Sequence, residues 1–248
     1  MKSRRSVVRL IILFLAVVFP VFGVETARVG PVWVRVGEGV RAQSVDDTEH
    51  DAQLWPDVQV SFNLRQRWSV FLFGTMRLGR DWATVTNEQI GFGASKRIGP
   101  NLTTLVSYRY LHTEAIPGRH VNEHRVFGDV TPRFNLDRLG RLGRGFTLVD
   151  RNRFEWRRVN GAYMYRYRNR VQVERPVAVG ERRLTPYTAF EAFYDSRFRT
   201  WSRFQIYTGT RLPLTKQISL DSFYMHQWDS RAIPGYIDVV GALWRIEF

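Results

Sequence analysis

From Leu54 to the end of the chain, apolar and polar residues alternate with a period of two, and no long amphipathic helical stretch interrupts them. In "RWSVFLFGTMRL", Trp68, Val70, Leu72, Met76 and Leu78 share one face; Ser69, Thr75 and Arg77 share the other, together with Phe71 and Phe73. In "NEQIGFGAS", Ile90, Phe92 and Ala94 oppose Gln89, Gly91, Gly93 and Ser95, and in "NLTTLVSYRY" Leu102, Val106, Tyr108 and Tyr110 oppose Thr103, Ser107 and Arg109. The final segment sets Val240, Ala242, Trp244, Ile246 and Phe248 against Gly241, Leu243, Arg245 and Glu247. A strand points successive side chains to opposite faces, so alternation of this kind predicts half-buried strands.

Strand length separates a soluble sandwich from a membrane barrel. The alternating runs extend over roughly 10–13 residues, against about 5–6 for soluble strands and about 9–11 for a tilted membrane-spanning strand. The polar face carries arginines and carboxylates, and Tyr and Trp cluster near the ends of the apolar face. This is the pattern of apolar-out, polar-in strands with aromatic girdles. The N-terminus agrees. Lys2, Arg4, Arg5 and Arg9 precede an apolar run from Leu10 to Phe22, with a small-residue-tolerant cleavage pattern at Val21-Phe22-Gly23. A basic region, a short apolar core and a cleavage site describe a secretory signal peptide over residues 1–23, because the run is shorter than the ~20 residues of a spanning helix. The expected organisation is a leader at 1–23, an N-terminal segment at 24–52, and an all-β, antiparallel transmembrane barrel at 53–248.

Eleven strand-like segments can be counted, near 54–64, 67–79, 85–97, 101–112, 122–134, 146–157, 163–175, 186–195, 200–212, 216–228 and 236–248. Bacterial single-chain barrels have even strand numbers. Twelve strands are therefore expected, the extra one at "PVWVRVGEG", where Val32, Val34 and Val36 alternate with Trp33 and Arg35. Ten is the alternative.

One turn anchors the register. Asn160-Gly161 is the strongest two-residue hairpin signal, since both positions of a type I′ turn need positive φ. It sets Val159 opposite Ala162, Trp156 opposite Tyr165, Glu155 opposite Arg166, Phe154 opposite Tyr167, Arg153 opposite Arg168 and Arg151 opposite Arg170. Aromatics then meet aromatics and charges meet charges, which a one-residue slip would destroy. Arginine facing lipid at midplane costs ~2–4 kcal/mol, so the charged face is assigned to the interior. The expected lumen network comprises Arg151, Arg153, Glu155, Arg166, Arg168, Arg170 and Glu174 of the hairpin. Asp129 and Glu123 flank it on one side, and Glu191, Asp195 and Arg203 on the other. Opposed arginines need carboxylates between them, because unpaired buried charge is costly. Side chains this long would fill much of a ten- to twelve-stranded lumen, which points to a plugged or narrow interior. The outward aromatics expected at the membrane interface are Trp156, Tyr163, Tyr165, Tyr167, Trp228 and Phe248.

The net charge of +14 and the run "YRYRNRVQVERP" at Tyr165–Pro176 suggest a nucleic-acid grip, since cations track phosphates while rings stack on bases. Two observations weigh against it. Removing the leader's four positive charges leaves +10 on an exported chain, and alternation sends tyrosines and arginines to opposite faces. No nucleic-acid partner is expected. The absence of cysteine excludes disulfides, thiolate metal sites and a Cys nucleophile. "HVNEH" (His120, Glu123, His124) matches the spacing of inverted zinc proteases, but that chemistry needs a helix and this segment enters a strand. "GFGASK" lacks phosphate-loop spacing, and Gly91 and Gly93 are expected to relieve crowding inside the barrel. Ser222 and His226 share the outward face, as a lipid hydrolase would require, yet four residues along a strand is about 13 Å. No catalytic residue, metal or cofactor is expected from these motifs.

The segments "LWPDVQVSFNLRQRWSVFLFGTMR", "GFGASKRIGPNLTTLVSYRYLH", "EHRVFGDVTPRF", "RNRFEWR", "YRYRNRVQVERP", "LTPYTAFEAFYD" and "RFQIYTGTRLPLTKQISLDSFYMHQ" resemble, in order from Leu54 to Phe248, a group of Gram-negative outer-membrane proteins catalogued as the domain-of-unknown-function family number 2490. The resemblance implies a β-barrel in the outer membrane of a Gram-negative bacterium and implies no activity. Phe248, with Ile246 two before it, also resembles the C-terminal strand signal read by the barrel-assembly machinery; Leu243 stands where that signal usually has glycine. The functional expectation is an outer-membrane barrel, structural or transport-related, with a narrow arginine-rich pore. Its partners are outer-membrane lipid and the assembly machinery. A lipid-modifying hydrolase is the alternative.

Overall fold

Long alternating segments can satisfy their backbone only by pairing with neighbours, and in this protein the pairing closes on itself. A computed structural model describes residues 50–248 apart from Pro117 and Glu181. The expected leader and the candidate strand at residues 31–39 lie outside the described residues.

The described strands are β1 (His50–Asn63), β2 (Trp68–Gly79), β3 (Thr84–Arg97), β4 (Leu102–Ile116), β5 (Arg119–Asn135), β6 (Thr147–Val159), β7 (Ala162–Glu174), β8 (Val177–Val179), β9 (Arg182–Asp195), β10 (Thr200–Pro213), β11 (Ile218–Asp229) and β12 (Tyr236–Glu247). They form one closed all-β barrel of twelve strands in total. Eleven make the wall. The twelfth, β8, is a three-residue strand that pairs only with the start of β9, beyond the break at Arg175-Pro176. Proline supplies no ladder donor, so β7 stops there and β8 resumes past the rim.

All sequential wall pairs are antiparallel, from β1–β2 through β11–β12. The closing pair is parallel, with β1 laid on β12 from His50↔Tyr236 to Ser61↔Glu247. An odd number of alternating strands leaves the first and last pointing the same way, so closure can only be parallel. The expectation of an even wall differs from the structure at this seam alone, where β1 bonds β12 directly.

The Asn160-Gly161 hairpin has the register its turn dictates, including Trp156↔Tyr165, Glu155↔Arg166, Arg153↔Arg168 and Arg151↔Arg170. Both turn residues have positive φ, 45° and 90°. The two rims are conveniently named for the Asn160-Gly161 turn and for Phe248, which lie at opposite ends of the barrel. Buried apolar residues sit inside the lumen, where Tyr187, Ala189, Tyr207, Met225 and Val239 pack together with Trp55, Phe223 and Ile237 against them. The outer wall is apolar and exposed, with Leu72, Ile90, Phe92, Val106, Val126, Val130, Phe190, Ile206 and Val240 all open to the surroundings. Gly91 keeps the wall of the lumen thin. A Cβ there would meet the Phe73 ring and lie 2.5 Å from the Tyr108 carbonyl oxygen.

Candidate functional site

The candidate site is the lumen, and its two halves differ. In the half toward the Asn160 rim, charged side chains from β5, β6, β7 and β9 meet at mid-lumen because each occupies the inward position of its strand. Glu123 accepts from Arg125 Nε at 2.7 Å and from Arg157 Nε and Nη2 at 2.7 and 2.8 Å. Asp195 accepts from Arg166 Nη2 at 2.7 Å and from Arg157 Nη1 at 3.2 Å. Glu155 accepts from Arg168 Nη1 at 3.0 Å, with Arg125 Nη1 at 3.5 Å. Glu191 accepts from Arg168 Nε and Arg151 Nη2, each at 2.8 Å. Asp129 is gripped at both oxygens by Arg153, at 2.7 Å each. On the far side, Arg203 Nε donates to Asp229 at 2.7 Å, and Gln205 Nε2 to Gln227 at 2.6 Å.

These pairs resolve the like-charge problem of the hairpin. Arg153 and Arg168 are cross-strand neighbours, but each turns to a different carboxylate, Asp129 on β5 for one and Glu155 with Glu191 for the other. Rings fill the gaps between guanidiniums: Arg153 lies 4.1 Å over Phe127 and Arg168 4.4 Å over Phe193. Short bidentate geometry together with cation–π contact is what makes a buried charge tolerable. The result is closed to solvent. Glu191 and Met225 have no exposed surface, and Glu155 and Asp195 show 1%.

Toward the Phe248 rim the lumen opens into a cavity of about 480 Å³. Nine arginines line it (Arg77, Arg109, Arg133, Arg151, Arg153, Arg168, Arg170, Arg211 and Arg245) against five carboxylates, Asp57, Asp129, Glu174, Glu191 and Asp221. Solvent reaches it, since the Arg133 and Arg211 side chains are 40% and 36% exposed. Arg77 pairs with Asp57 at 2.5 Å, and Arg133 with Glu174, which also accepts from Gln172. Arg109 donates to Gln89 Oε1 at 2.7 Å and lies 4.6 Å over the Phe73 ring, with no carboxylate bonded to it. Arg170 donates to Gln172 at 3.1 Å and lies 4.2 Å over Tyr207.

Every lumen residue singled out from the sequence thus points inward. Arg151, Glu155, Arg166, Arg168, Glu191 and Asp195 form one connected set with Glu123 through Arg125 and Arg157; Asp129 with Arg153, Glu174 with Arg133 and Arg203 with Asp229 are separate pairs. The aromatics Trp156, Tyr163 and Tyr165 are outward and exposed at the Asn160 rim, Trp228 is outward there and half-buried, and Phe248 stacks on Phe62 at 5.5 Å at the other rim. Tyr167 is outward too, but its hydroxyl donates to Asn152 Oδ1 at 2.5 Å.

Sequence reasoning passed over several residues. Arg125 and Arg157 complete the closed half, and Arg77, Arg109, Tyr187, Tyr207, Arg211, Asp221 and Arg245 shape the open one. Their alternation was readable, but only the Asn160-Gly161 hairpin carried a turn that fixed register. Also unanticipated is an outward polar patch in which Asp150 accepts from Asn169 at 2.6 Å and Asn152 at 3.2 Å, beside Tyr167. These positions follow from the same alternation that places Phe154 and Trp156 outward.

The motifs separate on the strands. In "HVNEH", Glu123 points inward to its arginines while His124 faces out, where its Nδ1 bonds Tyr108 at 2.7 Å. Among the described residues, no group of three His, Asp or Glu side chains is placed to hold a metal. Ser222 is paired across with Thr210 and Ala242, whereas His226 Nδ1 bonds Asp238 at 2.7 Å.

Such an all-β wall around a charged, partly filled lumen defines a β-barrel protein with an arginine-rich interior. The sequence matches the family described as "Protein of unknown function (DUF2490)" over residues 52–236, and the chain belongs to that family. A search of curated proteins finds no match. Among solved structures, the siderophore receptor PirA from Pseudomonas aeruginosa is similar at 13% identity and a TM-score of 0.31, over 72% of this chain and 35% of the receptor. The chain thus spans about a third of that receptor's length.

Proposed function

We propose that the protein is an outer-membrane β-barrel that admits small anions into its lumen and passes them through a narrow constriction. The observation that carries this reading is the solvent-reached cavity lined by nine arginines against five carboxylates. Fields from one sign of charge in a low-dielectric cleft concentrate counter-ions. The membrane placement is supported by the exposed apolar wall, since soluble monomers rarely leave large contiguous apolar surfaces uncovered. Aromatic side chains at both rims suit the two interfaces, where amphipathic rings reside. An export leader fits the same destination, and β12 with Phe248 is the strand that the assembly machinery would engage. The closed half is the constriction, so passage requires its ion pairs to shift.

Planar-bilayer recordings test this. Wild-type protein is expected to conduct in small steps with anion preference in a salt gradient, and Glu155→Gln to conduct more by loosening Arg125 and Arg168. Silence from both proteins, or preference for cations, overturns the reading.

A further inference from the structure

Two arginines in the open half of the lumen share a single carboxylate, and a third stands by the tyrosine that bonds it. Arg245 Nη2 lies 3.5 Å from Asp221 Oδ2, and Arg211 Nε lies 4.0 Å from the same oxygen. The other oxygen, Oδ1, is already taken by the Tyr187 hydroxyl at 2.8 Å. Arg170 stands over the same tyrosine, 5.8 Å from its ring, and its side-chain bond goes to neutral Gln172. The other carboxylates of the cavity are engaged elsewhere: Asp57 by Arg77, Glu191 by Arg151 and Arg168, Glu174 by Arg133, and Asp129 by Arg153.

The contrast with the closed half is one of geometry. There, Arg153 on Asp129 and Arg157 on Glu123 each make a pair of parallel bonds at 2.7–2.8 Å. Around Asp221 the separations are those of a loosely shared anion. The Nε atoms of Arg170, Arg211 and Arg245 are all buried without a hydrogen-bond partner. A buried donor left unmade is costly, more so when it carries charge. Arg211 and Arg245 share one carboxylate and Arg170 bonds only a neutral amide, so these three arginines with Asp221 carry a net charge of +2.

The geometry points to a subsite for a compact, doubly charged oxyanion, of which a phosphate group is the type, held by Arg170, Arg211 and Arg245 beside Tyr187. Planar guanidiniums offer paired N–H groups to such oxygens, which a spherical monovalent ion cannot use. The surrounding volume also accommodates an organic body attached to the anion. The Tyr207 and Phe223 rings, 5.8 Å apart and part of the cavity lining, provide an apolar flank for it. This inference rests on reading the lumen as anion-accepting.

The test is titration calorimetry on full-length folded protein in detergent, with inorganic phosphate, sulfate and chloride at constant ionic strength. Saturable binding of phosphate or sulfate, one per barrel, is expected, with none for chloride. Arg170→Gln and Arg211→Gln should each weaken it at least about tenfold, as expected for a charge-assisted hydrogen bond. Asp221→Asn should tighten it several-fold by removing the internal competitor. Arg138→Gln, in the β5–β6 loop, should leave it unchanged. Heat-modifiable gel migration confirms that each variant is folded. No saturable binding, binding equal for chloride, or binding indifferent to Arg170→Gln and Arg211→Gln overturns the subsite. Bilayer silence with phosphate binding intact refutes conduction and leaves the subsite standing. Anion conduction without phosphate binding does the reverse.

Discussion

The two halves of this lumen use the same residue types to opposite ends. Toward the Asn160 rim, Glu123, Glu155, Glu191 and Asp195 each accept from two or more arginines. None of these four carboxylates is more than 10% exposed, nor are Arg125, Arg157 and Arg166, while their other partners Arg168 and Arg151 are 14% and 24% exposed. Toward the Phe248 rim, Arg211 and Arg245 share Asp221 at 3.5–4.0 Å, and their side chains are 36% and 29% exposed. Arginine is structural where carboxylates arrive in number and orientation, and available where they do not. The ratio and placement of acids, rather than the arginines themselves, separates a plug from a vestibule.

The largest expected effect lies in the closed half. Glu191→Gln removes a fully buried carboxylate shared by Arg151 and Arg168, and breaking such a pair from one side costs ~3–5 kcal/mol. Arg170→Gln in the open half, which breaks no carboxylate bond and loses one hydrogen bond to a neutral amide, should cost only about 1 kcal/mol. Urea or thermal unfolding followed by heat-modifiable migration measures both. Equal losses would erase the distinction between the halves.

A smaller effect is expected in the wall of the cavity. Gly91→Ala forces a methyl group against the Phe73 ring and the Tyr108 carbonyl, and overpacking of this kind costs ~1–3 kcal/mol. The same unfolding assay reads it, and a neutral result would show that the wall around the cavity can yield. At the rim of the closed half, Gly161→Val places a β-branched residue at φ +90° in the hairpin turn. The expected cost is ~1–2 kcal/mol, confined to the β6–β7 pair in hydrogen exchange. Spread of the loss to β9 would mean that the ion-pair set transmits it.

The smallest effect is at the loop above the open half. Asp137 Oδ1 accepts the Gly145 backbone N–H at 2.6 Å, which holds its carboxyl below the ordinary value of 3.8. A depressed folded-state value means that its contribution is complete above about pH 4 and fades as pH falls through the folded value. Proteolysis of this loop by an acid-active protease should therefore rise below pH 4, and Asp137→Asn should flatten the response. An unchanged profile would remove Asp137 as the tie.

Much of the barrel was legible because strand alternation is local. All eleven wall strands were marked by their own period of two. One turn, Asn160-Gly161, carried enough stereochemistry by itself to pair Arg153 with Arg168 and Trp156 with Tyr165. The acids expected around that hairpin were legible for the same reason, since a neighbouring strand must supply the inward charge. Asp221, Arg211 and Arg245 lacked such an anchor: Thr215 and Lys216 between β10 and β11 do not specify a register as Asn-Gly does. Their convergence with Arg170 could not be read from spacing.

Sequence alone determined which face of each strand turns inward, because most of the charges share one face of the strands and period two allows one alternative only. It could not determine closure. That β1 meets β12 in parallel, making an odd wall, is a property of the assembled sheet, since the pairing joins the two ends of the described strands and no local pattern specifies it. Nor could it determine which arginines find carboxylates. Distances of 2.7 Å and 4.0 Å separate a satisfied ion pair from an available donor, although both pairs are directly opposed on adjacent strands, so the difference lies in how the side chains pack inside the lumen.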